Sequence, residues 1–96
     1  MDYIVPARVA LLLELAVDAG YGTQLADRLR ERTGNKVNLL QGSIYPKLSE
    51  LTKMGLIESK KADGPGSDRI YYFLTHSGRK LADEYRETLR KLVVDR

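Results

Sequence analysis

The sequence has no cysteine, no tryptophan and a single histidine, His76. Without cysteine, disulfide bonds and thiol chemistry are excluded, and a reducing cytoplasmic location is expected. A single histidine cannot supply a cluster of histidine ligands, so we expect no metal and no other cofactor. Because His76 follows Thr75, a predicted helix cap, we interpret it as an exposed or capping side chain rather than a catalytic one.

Long hydrophobic runs are also missing. The longest apolar stretch, from Val9 to Val17, is interrupted by Glu14 and is far shorter than the roughly 20 residues that cross a bilayer. No basic segment followed by a small-residue cleavage site marks a signal peptide, so we expect no membrane partner. Paired acids, a nucleophile beside a base and a phosphate-binding loop are not apparent either, which predicts that the protein is not an enzyme.

The length of 96 residues favours a single small domain. Hydrophobic residues make up 43% of the chain and charged residues 30%, which is ordinary for a globular protein. The formal net charge is +3 and the isoelectric point is about 9.3. This mild excess of positive charge permits a nucleic-acid partner, but a merely soluble charged surface produces the same value. The core is thin, and a second copy of the chain would help to cover apolar surface.

Hydrophobic periodicity and turn residues predict three helices, a β-hairpin and a final helix. Gly34 with Asn35, and later Gly55, are typical of residues that end a helix in the left-handed conformation. The predicted helices run from Pro6 to about Val17, from Gly42 to Met54 and, after the cap Thr75, to about Val93. The second helix is predicted to begin at Tyr21-Gly22-Thr23, with Gly22 or Thr23 as its cap, and to run to about Thr33. The predicted strands run from Leu56 to Lys61 and from Arg69 to Leu74, with a turn at residues 63–68 and a brief alternation at Lys36–Leu40 that indicates a short strand.

This order of elements is typical of a winged helix-turn-helix, which is a mainly α fold with a small β-hairpin. Residues 1–75 are predicted to form the DNA-binding domain, and residues 76–96 a C-terminal dimerisation helix. In the third helix, Ser43 is the predicted cap and Pro46 falls in the first turn. The helix is predicted to bury one apolar stripe and to offer a small, basic, hydroxyl-bearing face that suits a DNA major groove. The stripe consists of Ile44, Leu48 and Leu51.

Two other helices indicate a contact between subunits. The first is apolar nearly all the way round, so it must be covered on more than one side, by this subunit or by another. The last carries an amphipathic stripe, and Gly78 in its first turn is predicted to permit close packing against a neighbour. We prefer a dimer contact between this stripe and the partner's first helix over packing within one subunit. The predicted dimer residues are Leu11, Leu15, Leu81, Tyr85, Leu89 and Leu92.

Several segments together resemble a known family. They are Gly20–Gly22, Leu25–Leu29, Gly42–Leu48, Gly55–Ser59, and Tyr71–Thr75 with Gly78, so the match runs from about Val9 to Leu81. The string Gly-Ser-Ile-Tyr-Pro followed by Gly-Leu-Ile-Glu-Ser is fairly specific in combination. On these segments the sequence resembles the PadR-like family of transcriptional regulators. The resemblance implies a homodimeric DNA-binding regulator, often a repressor, of the short form with a single C-terminal helix. It further implies that the third helix enters the major groove and that the C-terminal helix builds the dimer.

Ten residues are predicted to contact double-stranded DNA. The start of the second helix offers backbone N–H groups to a phosphate, and the lysines and the arginine offer charge to the backbone. Gln41 is a candidate for a base edge, Ser43 is equally a pure helix cap, and Tyr45 is equally a half-buried core residue. The set is Thr23, Gln24, Gln41, Ser43, Tyr45, Lys47, Lys53, Lys60, Lys61 and Arg69. By contrast, the arginines of the second helix are interpreted as favourable to its dipole rather than as phosphate ligands. They are Arg28, Arg30 and Arg32.

Two further hypotheses stay open. A winged helix can serve protein–protein contact without binding DNA, and evenly spread basic residues would favour that alternative. A basic patch confined to the third helix and the wing would favour DNA. The dimer interface is in addition a candidate site for a small apolar effector. The residues expected around such an effector are Leu11, Leu15, Tyr85 and Leu89.

Overall fold

The computed structural model describes residues 6–39, 41–61 and 69–93, and these ranges contain four helices and three strands. In chain order the elements are α1 (Ala7–Val17), β1 (Gly20–Tyr21), α2 (Gly22–Arg32), α3 (Gln41–Lys53), β2 (Ile57–Lys61), β3 (Ile70–Leu74) and α4 (His76–Val93). The fold is therefore mainly α with a small antiparallel sheet, as the sequence predicts. The predicted turn at residues 63–68 lies outside the described residues. Within the described ranges, each helix is too short or too polar to cross a membrane.

The core lies where α1, α2 and α3 meet, because each of these helices presents an apolar stripe to the other two. The predicted stripe of α3 is confirmed, since Ile44, Leu48 and Leu51 are all fully buried. Leu25 and Leu29 of α2 pack into the same cluster. The third helix is thus fixed by its apolar side, and its other side is left for function.

The hairpin lies beside this core with a defined register. Ile57 pairs with Leu74 and Lys61 pairs with Ile70, so that alternate residues of β3 share one face of the sheet. The inner face includes Tyr72 and Leu74, which pack against the core cluster. Ile70 lies on the same face as these two residues, because side chains alternate along a strand.

A third strand, β1, was missed by the sequence analysis. Gly20 pairs with Tyr72 and Tyr21 pairs with Tyr71, so the sheet order is β1-β3-β2. The residues Tyr21-Gly22-Thr23 were predicted to begin the second helix, with Gly22 or Thr23 as its cap. The structure instead places Tyr21 at the cap in extended conformation, and α2 begins at Gly22. Two residues are too few to show a period-2 pattern, which explains the omission.

The start of the third helix also differs from the prediction. The helix begins at Gln41, so Ser43 is its third residue and is not the cap, and Pro46 is its sixth residue and lies beyond the first turn. The missing N–H of Pro46 therefore removes one bond from the helical ladder. Ser43 and Pro46 are both exposed, and they belong to the surface of α3 rather than to its terminus.

The predicted strand at Lys36–Leu40 is wrong over its described part. Residues 36–39 are irregular, and Leu40 lies outside the described residues. The alternation that suggested a strand reflects burial in a loop, because Val37 and Leu39 enter the core while Lys36 and Asn38 are exposed. The predicted left-handed turn before this loop is confirmed, with φ of 59° at Gly34 and 69° at Asn35.

The start of α4 is locked onto the end of α3. The Thr75 hydroxyl accepts a hydrogen bond from the Gly78 N–H at 3.0 Å and donates one to the Gly55 carbonyl at 2.7 Å. The predicted cap at Thr75 is therefore confirmed. A Cβ added at Gly78 would lie only 1.8 Å from the Leu56 carbonyl oxygen, so the close packing predicted for this glycine is also confirmed.

We expect the substitution Gly78→Ala to destabilise the fold strongly. The added methyl group would overlap backbone rather than a side chain that can rotate away, so α4 must move off the end of α3. The free energy of unfolding should fall by about 3 kcal/mol, the upper range for overpacking. Urea unfolding followed by circular dichroism measures it. Ser77→Ala, at an exposed position in the same turn, should change the stability by less than about 0.5 kcal/mol. Equal stabilities of the two variants would contradict the packing described here.

Candidate nucleic-acid interface

The exposed face of α3 lies opposite its buried stripe. Pro46, Ser49 and Lys53 follow one another at intervals of three and four residues along this face, and all three are exposed. Among the predicted contacts, Ser43, Tyr45 and Lys53 are also exposed, whereas Lys47 is half-buried at the edge of the core. The side chain of Gln41 is outside what the structure describes. The face is therefore mostly small and polar, with its one fully exposed lysine in the last turn.

Tyr45 connects α3 to the start of α2. A Cβ added at Gly22 would lie 2.8 Å from Cε1 of the Tyr45 ring, so the ring rests directly on the backbone of α2. Tyr45 nevertheless remains 42% exposed. Burial raises the pKa of the neighbouring Tyr72, and the proximity of Tyr45 raises it further. Tyr45 thus has one side against the protein and one side open to a ligand.

The first turn of α2 presents Thr23 and Gln24, both exposed. The side-chain oxygen of Gln24 accepts a hydrogen bond from the Tyr21 N–H at 3.0 Å. This bond orders the start of the helix, where further N–H groups point outwards along the positive end of the helix dipole. The arrangement suits an anion such as a backbone phosphate.

The outer face of the sheet combines cations with aromatic rings. Lys60 lies directly opposite Tyr71 in the β2–β3 register, and Tyr71 lies opposite Tyr21, so the three side chains share one face. Arg69, two residues before Tyr71, has its guanidinium carbon 5.1 Å from the centre of the Tyr21 ring. Lys61 pairs with Ile70 and therefore lies on the opposite face. The structure thus groups Lys60 and Arg69 and separates Lys61 from them.

A buried carboxylate behind this surface fixes the relation of α1 to α2. The side chain of Glu14 is 0% exposed, and it lies between two arginines of α2. Arg28 Nε donates to Glu14 Oε2 at 2.9 Å, and Arg32 Nε donates to Glu14 Oε1 at 2.7 Å. In the sequence, Glu14 stands out only as an interruption of an apolar run, and no role was predicted for it. The signal available was its position in a buried helix, since an acid there needs a cationic partner.

Arg28 also holds the C-terminal end of α1. Its guanidinium donates to the backbone carbonyls of Glu14 at 3.1 Å, Asp18 at 2.6 Å and Ala19 at 3.2 Å. The interpretation of the α2 arginines as simple partners of the helix dipole is thus incomplete. Arg28 and Arg32 are taken up by Glu14, and Arg30 pairs with Asp27 at 3.0 Å. These contacts join α2 to α1 just before β1 begins.

The electrostatics of the cluster favour an ionised Glu14. Burial alone would raise the pKa of the carboxyl group, but hydrogen bonds and charge from Arg32 and Arg28 outweigh this effect and hold the pKa below its usual 4.5. The carboxylate in turn raises the pKa of Arg32. The cluster therefore remains fully charged at neutral pH.

The predicted dimer residues are divided between the core and the surface. Leu11 and Leu15 are fully buried within their own subunit, so the expectation that they contact a partner is corrected. Leu81 and Tyr85 are half-buried against the same core, which shows that the first half of α4 packs on its own subunit. Leu89 is half-buried, and Leu92 is 59% exposed. Among the predicted dimer residues, Leu92 in the last turn of α4 is thus the one that is mostly exposed.

Two apolar grooves flank α4. One, with a volume of about 290 Å³, lies between α1, α2 and α4, and the other, of about 300 Å³, lies between α1, α3 and α4. Leu89 lines the first groove and Tyr85 lines the second. Because Leu11 and Leu15 are buried, the four residues expected around an effector do not line a common pocket. Among the described residues, no cluster of three or more histidine or acidic side chains is placed to bind a metal ion.

Comparison with known proteins identifies the family. The model of the transcriptional regulator PadR-like family matches residues 11–84. The chain belongs to the PadR-like family of transcriptional regulators. It is accordingly a regulator rather than an enzyme, which confirms two expectations from the sequence. A comparison with curated proteins gave no match.

Solved structures resemble this PadR-like chain over most of its length. A PadR family transcription regulator from Clostridium difficile R20291 is 25% identical, with a TM-score of 0.77, and the match covers 90% of this chain and 88% of that one. RosR of H. salinarum is 29% identical, with a TM-score of 0.75, covering 97% of this chain and 81% of that one. Bacillus subtilis PadR in complex with operator DNA is 23% identical, with a TM-score of 0.75, covering 99% of this chain and 50% of that one. At this identity the last neighbour shows a shared fold.

The cluster around Glu14 generates a testable prediction. In Glu14→Gln the amide cannot neutralise two arginines, but both arginines reach solvent, so the free energy of unfolding at neutral pH should fall by about 1–2 kcal/mol. Because the pKa of Glu14 is lowered on folding, its contribution is complete above about pH 4.5 and is lost as the pH falls through the lower folded-state pKa. Urea unfolding at several pH values measures the difference between the two proteins.

The control is Glu31→Gln, which removes the same charge from an exposed position on α2. It should change the stability by less than about 0.5 kcal/mol at any pH. The difference between wild type and Glu14→Gln should shrink towards acid pH. A difference that stays constant, or grows, on acidification would show that the charge of Glu14 is not what stabilises the protein.

Proposed function

We propose that the protein is a homodimeric, sequence-specific DNA-binding repressor. In this proposal α3 enters the major groove, the first turn of α2 contacts a phosphate, and the wing formed by β2 and β3 contacts the backbone. Membership of the PadR-like family supports regulation of transcription, and a similar fold occurs in Bacillus subtilis PadR bound to operator DNA. The finer statements rest on the geometry of this chain.

The exposed face of α3 is the observation that carries the proposal. Its apolar stripe is fully buried, so the helix is held rigidly while Pro46, Ser49 and Lys53 face outwards. Small side chains allow a helix to lie deep in a groove, and Lys53 adds charge for a phosphate. Ser49 joins the predicted contacts, because a serine hydroxyl can donate to or accept from a base edge.

The distribution of paired and unpaired cations supports the same surface. The arginines of α2 and of the second half of α4 lie beside carboxylates and are locally neutralised. Within the described ranges, no carboxylate lies within 4.0 Å of Lys47, Lys53, Lys60 or Arg69. Lys36, Arg79, Lys80 and Lys91 are also outside this distance, so unpaired cations occur on α3 and the wing without being confined to them. Unpaired cations that bind DNA phosphates release the counterions condensed on the DNA, which favours binding.

The dimer is proposed from the apolar surface around α4. The only buried residues of α4 in the described range are Gly78 and Ala82, both in its first half. The second half adds Leu92 at 59% and Val93 at 80% exposure, and Val17 of α1 is 63% exposed beside the groove that Leu89 lines. A partner's helix laid along this surface would bury apolar area at roughly 25 cal/mol per Å².

DNA binding should be measured with a labelled fragment of the protein's own promoter at two salt concentrations. We expect the affinity to fall steeply with salt, because each neutralised phosphate contributes about −0.9 to the slope of log affinity against log salt. Lys53→Ala should reduce this slope by about one and should weaken all sequences alike. Lys47→Ala should have a smaller effect, because the side chain is half-buried.

Lys91→Ala is the matched control, because it also removes one exposed positive charge, but near the C-terminal end of α4 and outside the proposed interface. It should leave the slope unchanged. If the wild-type protein binds no DNA at low salt, the proposal fails and a protein–protein role takes its place. Equal slopes for wild type and Lys53→Ala would remove α3 from the interface even if DNA binds.

The dimer should dissociate in the double variant Leu89→Glu with Leu92→Glu, because two carboxylates would have to be buried between subunits. Sedimentation velocity distinguishes the two states. Thr88→Glu, on the charged side of the same helix, is the control and should remain dimeric. A double variant that sediments as a dimer would place the interface elsewhere. If the wild type forms the dimer, its operator half-sites should be ~34 Å apart or a multiple of this distance.

A further inference from the structure

We propose that Tyr21 positions Arg69 for its contact with the DNA backbone. A residue outside the wing would thus determine how strongly a cation of the wing binds phosphate. This inference rests on the proposed DNA-binding function and adds one residue to it. Its starting point is β1, the two-residue strand that the sequence did not predict and that brings Tyr21 to the edge of the sheet.

The contact between the two side chains is specific. The guanidinium carbon of Arg69 lies 5.1 Å from the centre of the Tyr21 ring, within the distance at which a cation is attracted by an aromatic face. Among the residues that the structure describes, the Tyr21 ring is the group that contacts the Arg69 guanidinium, and no described carboxylate lies at ion-pair distance from it. A ring attracts a guanidinium without neutralising it, and the full charge remains available for a phosphate.

The Tyr21 ring is itself held in place from two sides. Its centre lies 5.5 Å from that of Tyr71 at an interplanar angle of 77°, the edge-to-face arrangement that aromatic pairs prefer. The backbone of Tyr21 pairs with Tyr71 in the sheet, and the Tyr21 N–H donates a hydrogen bond to Gln24 Oε1. The ring is thus a rigid platform, whereas an unsupported arginine would sample many rotamers and lose conformational entropy on binding.

The platform also connects the wing to the helices. Tyr21 immediately precedes Gly22, on which the Tyr45 ring of α3 rests. Lys60 lies on the same outer face of the sheet, opposite Tyr71. A single chain of contacts therefore leads from α3 through the start of α2 to Arg69. Arg69 is thus positioned relative to α3 by its contact with the Tyr21 ring as well as by the hairpin.

The experiment is a double-mutant cycle on Tyr21 and Arg69, read out by promoter binding across a salt series. Arg69→Ala should lower the salt slope by about one. Tyr21→Leu should weaken binding by about two- to fivefold, the range of an exposed cation–π contact, and should have no further effect in the Arg69→Ala background. Tyr21→Phe keeps the ring face and should match wild type.

Each alternative outcome overturns the inference. Additive effects of Tyr21→Leu and Arg69→Ala would show that the two residues act independently. Tighter binding by Tyr21→Leu would show that the ring holds Arg69 away from DNA. Loss of affinity in Tyr21→Phe would assign the role to the hydroxyl group. If wild type binds no DNA, the proposed function itself has failed, which is a different result.

A measurement without DNA tests the contact alone. The ring current of Tyr21 should shift the NMR signals of the Arg69 side chain upfield, and Tyr21→Phe should retain this shift. If Tyr21→Leu does not fold, Tyr21→Trp serves instead, because the indole is the strongest partner for a cation and should enlarge the shift. An Arg69 signal that does not respond to the ring at position 21 would overturn the proposal.

Discussion

The buried carboxylate of Glu14 is the constraint on which the arrangement of the helices depends. A charge removed from water is tolerated only when its partners surround it, and here both partners come from α2. Arg28 goes further and donates to the carbonyl of Glu14 in the last turn of α1 and to that of Asp18 just after it, so the end of one helix is held by a side chain of the next. The angle and register between α1 and α2 are thereby fixed by charge as well as by leucine packing.

The shape of the proposed DNA-binding surface depends on this contact between α1 and α2. Because α1 ends against Arg28, the chain emerges at Gly20 in a position to pair with Tyr72 of β3. A Cβ at Gly20 would lie 2.9 Å from Arg28 Nη1, so glycine at this position leaves room for the guanidinium without a shift of the arginine side chain. The strand pairing then brings Tyr21 under Arg69 and sets the start of α2 beside Tyr45. The residues of the proposed interface are thus arranged by a cluster that lies outside it.

Most of the fold could be predicted from the sequence because its signals are local. Stripes of leucine at helical spacing, Gly55 with a φ of 75° after α3, and the Thr75 cap each depend on a few neighbouring residues. Two of the failures are non-local. Glu14 pairs with residues 14 and 18 positions later, and β1 exists only because β3 is there to pair with it. In the proposed interface, the cations could be predicted by type and the outward position of Ser49 follows from helical spacing, but the contact of Arg69 with the Tyr21 ring could not be predicted.

Two surfaces of the protein, that of α4 and that of α3 with the wing, differ in whether their charges are paired. On α4, the ion pairs Asp83–Arg86 and Glu87–Arg90 neutralise charge within the helix, so what the second half offers to another molecule is apolar area. On α3 and the wing, Lys53 and Lys60 have no such neighbours among the described residues, and what these elements offer is charge. Apolar area favours a permanent contact that excludes water, whereas unpaired charge favours a partner that is reached and released as salt and sequence change. A regulator needs both kinds of contact. Helix α1 connects the two surfaces, because it packs on α4 and its Glu14 forms ion pairs with α2.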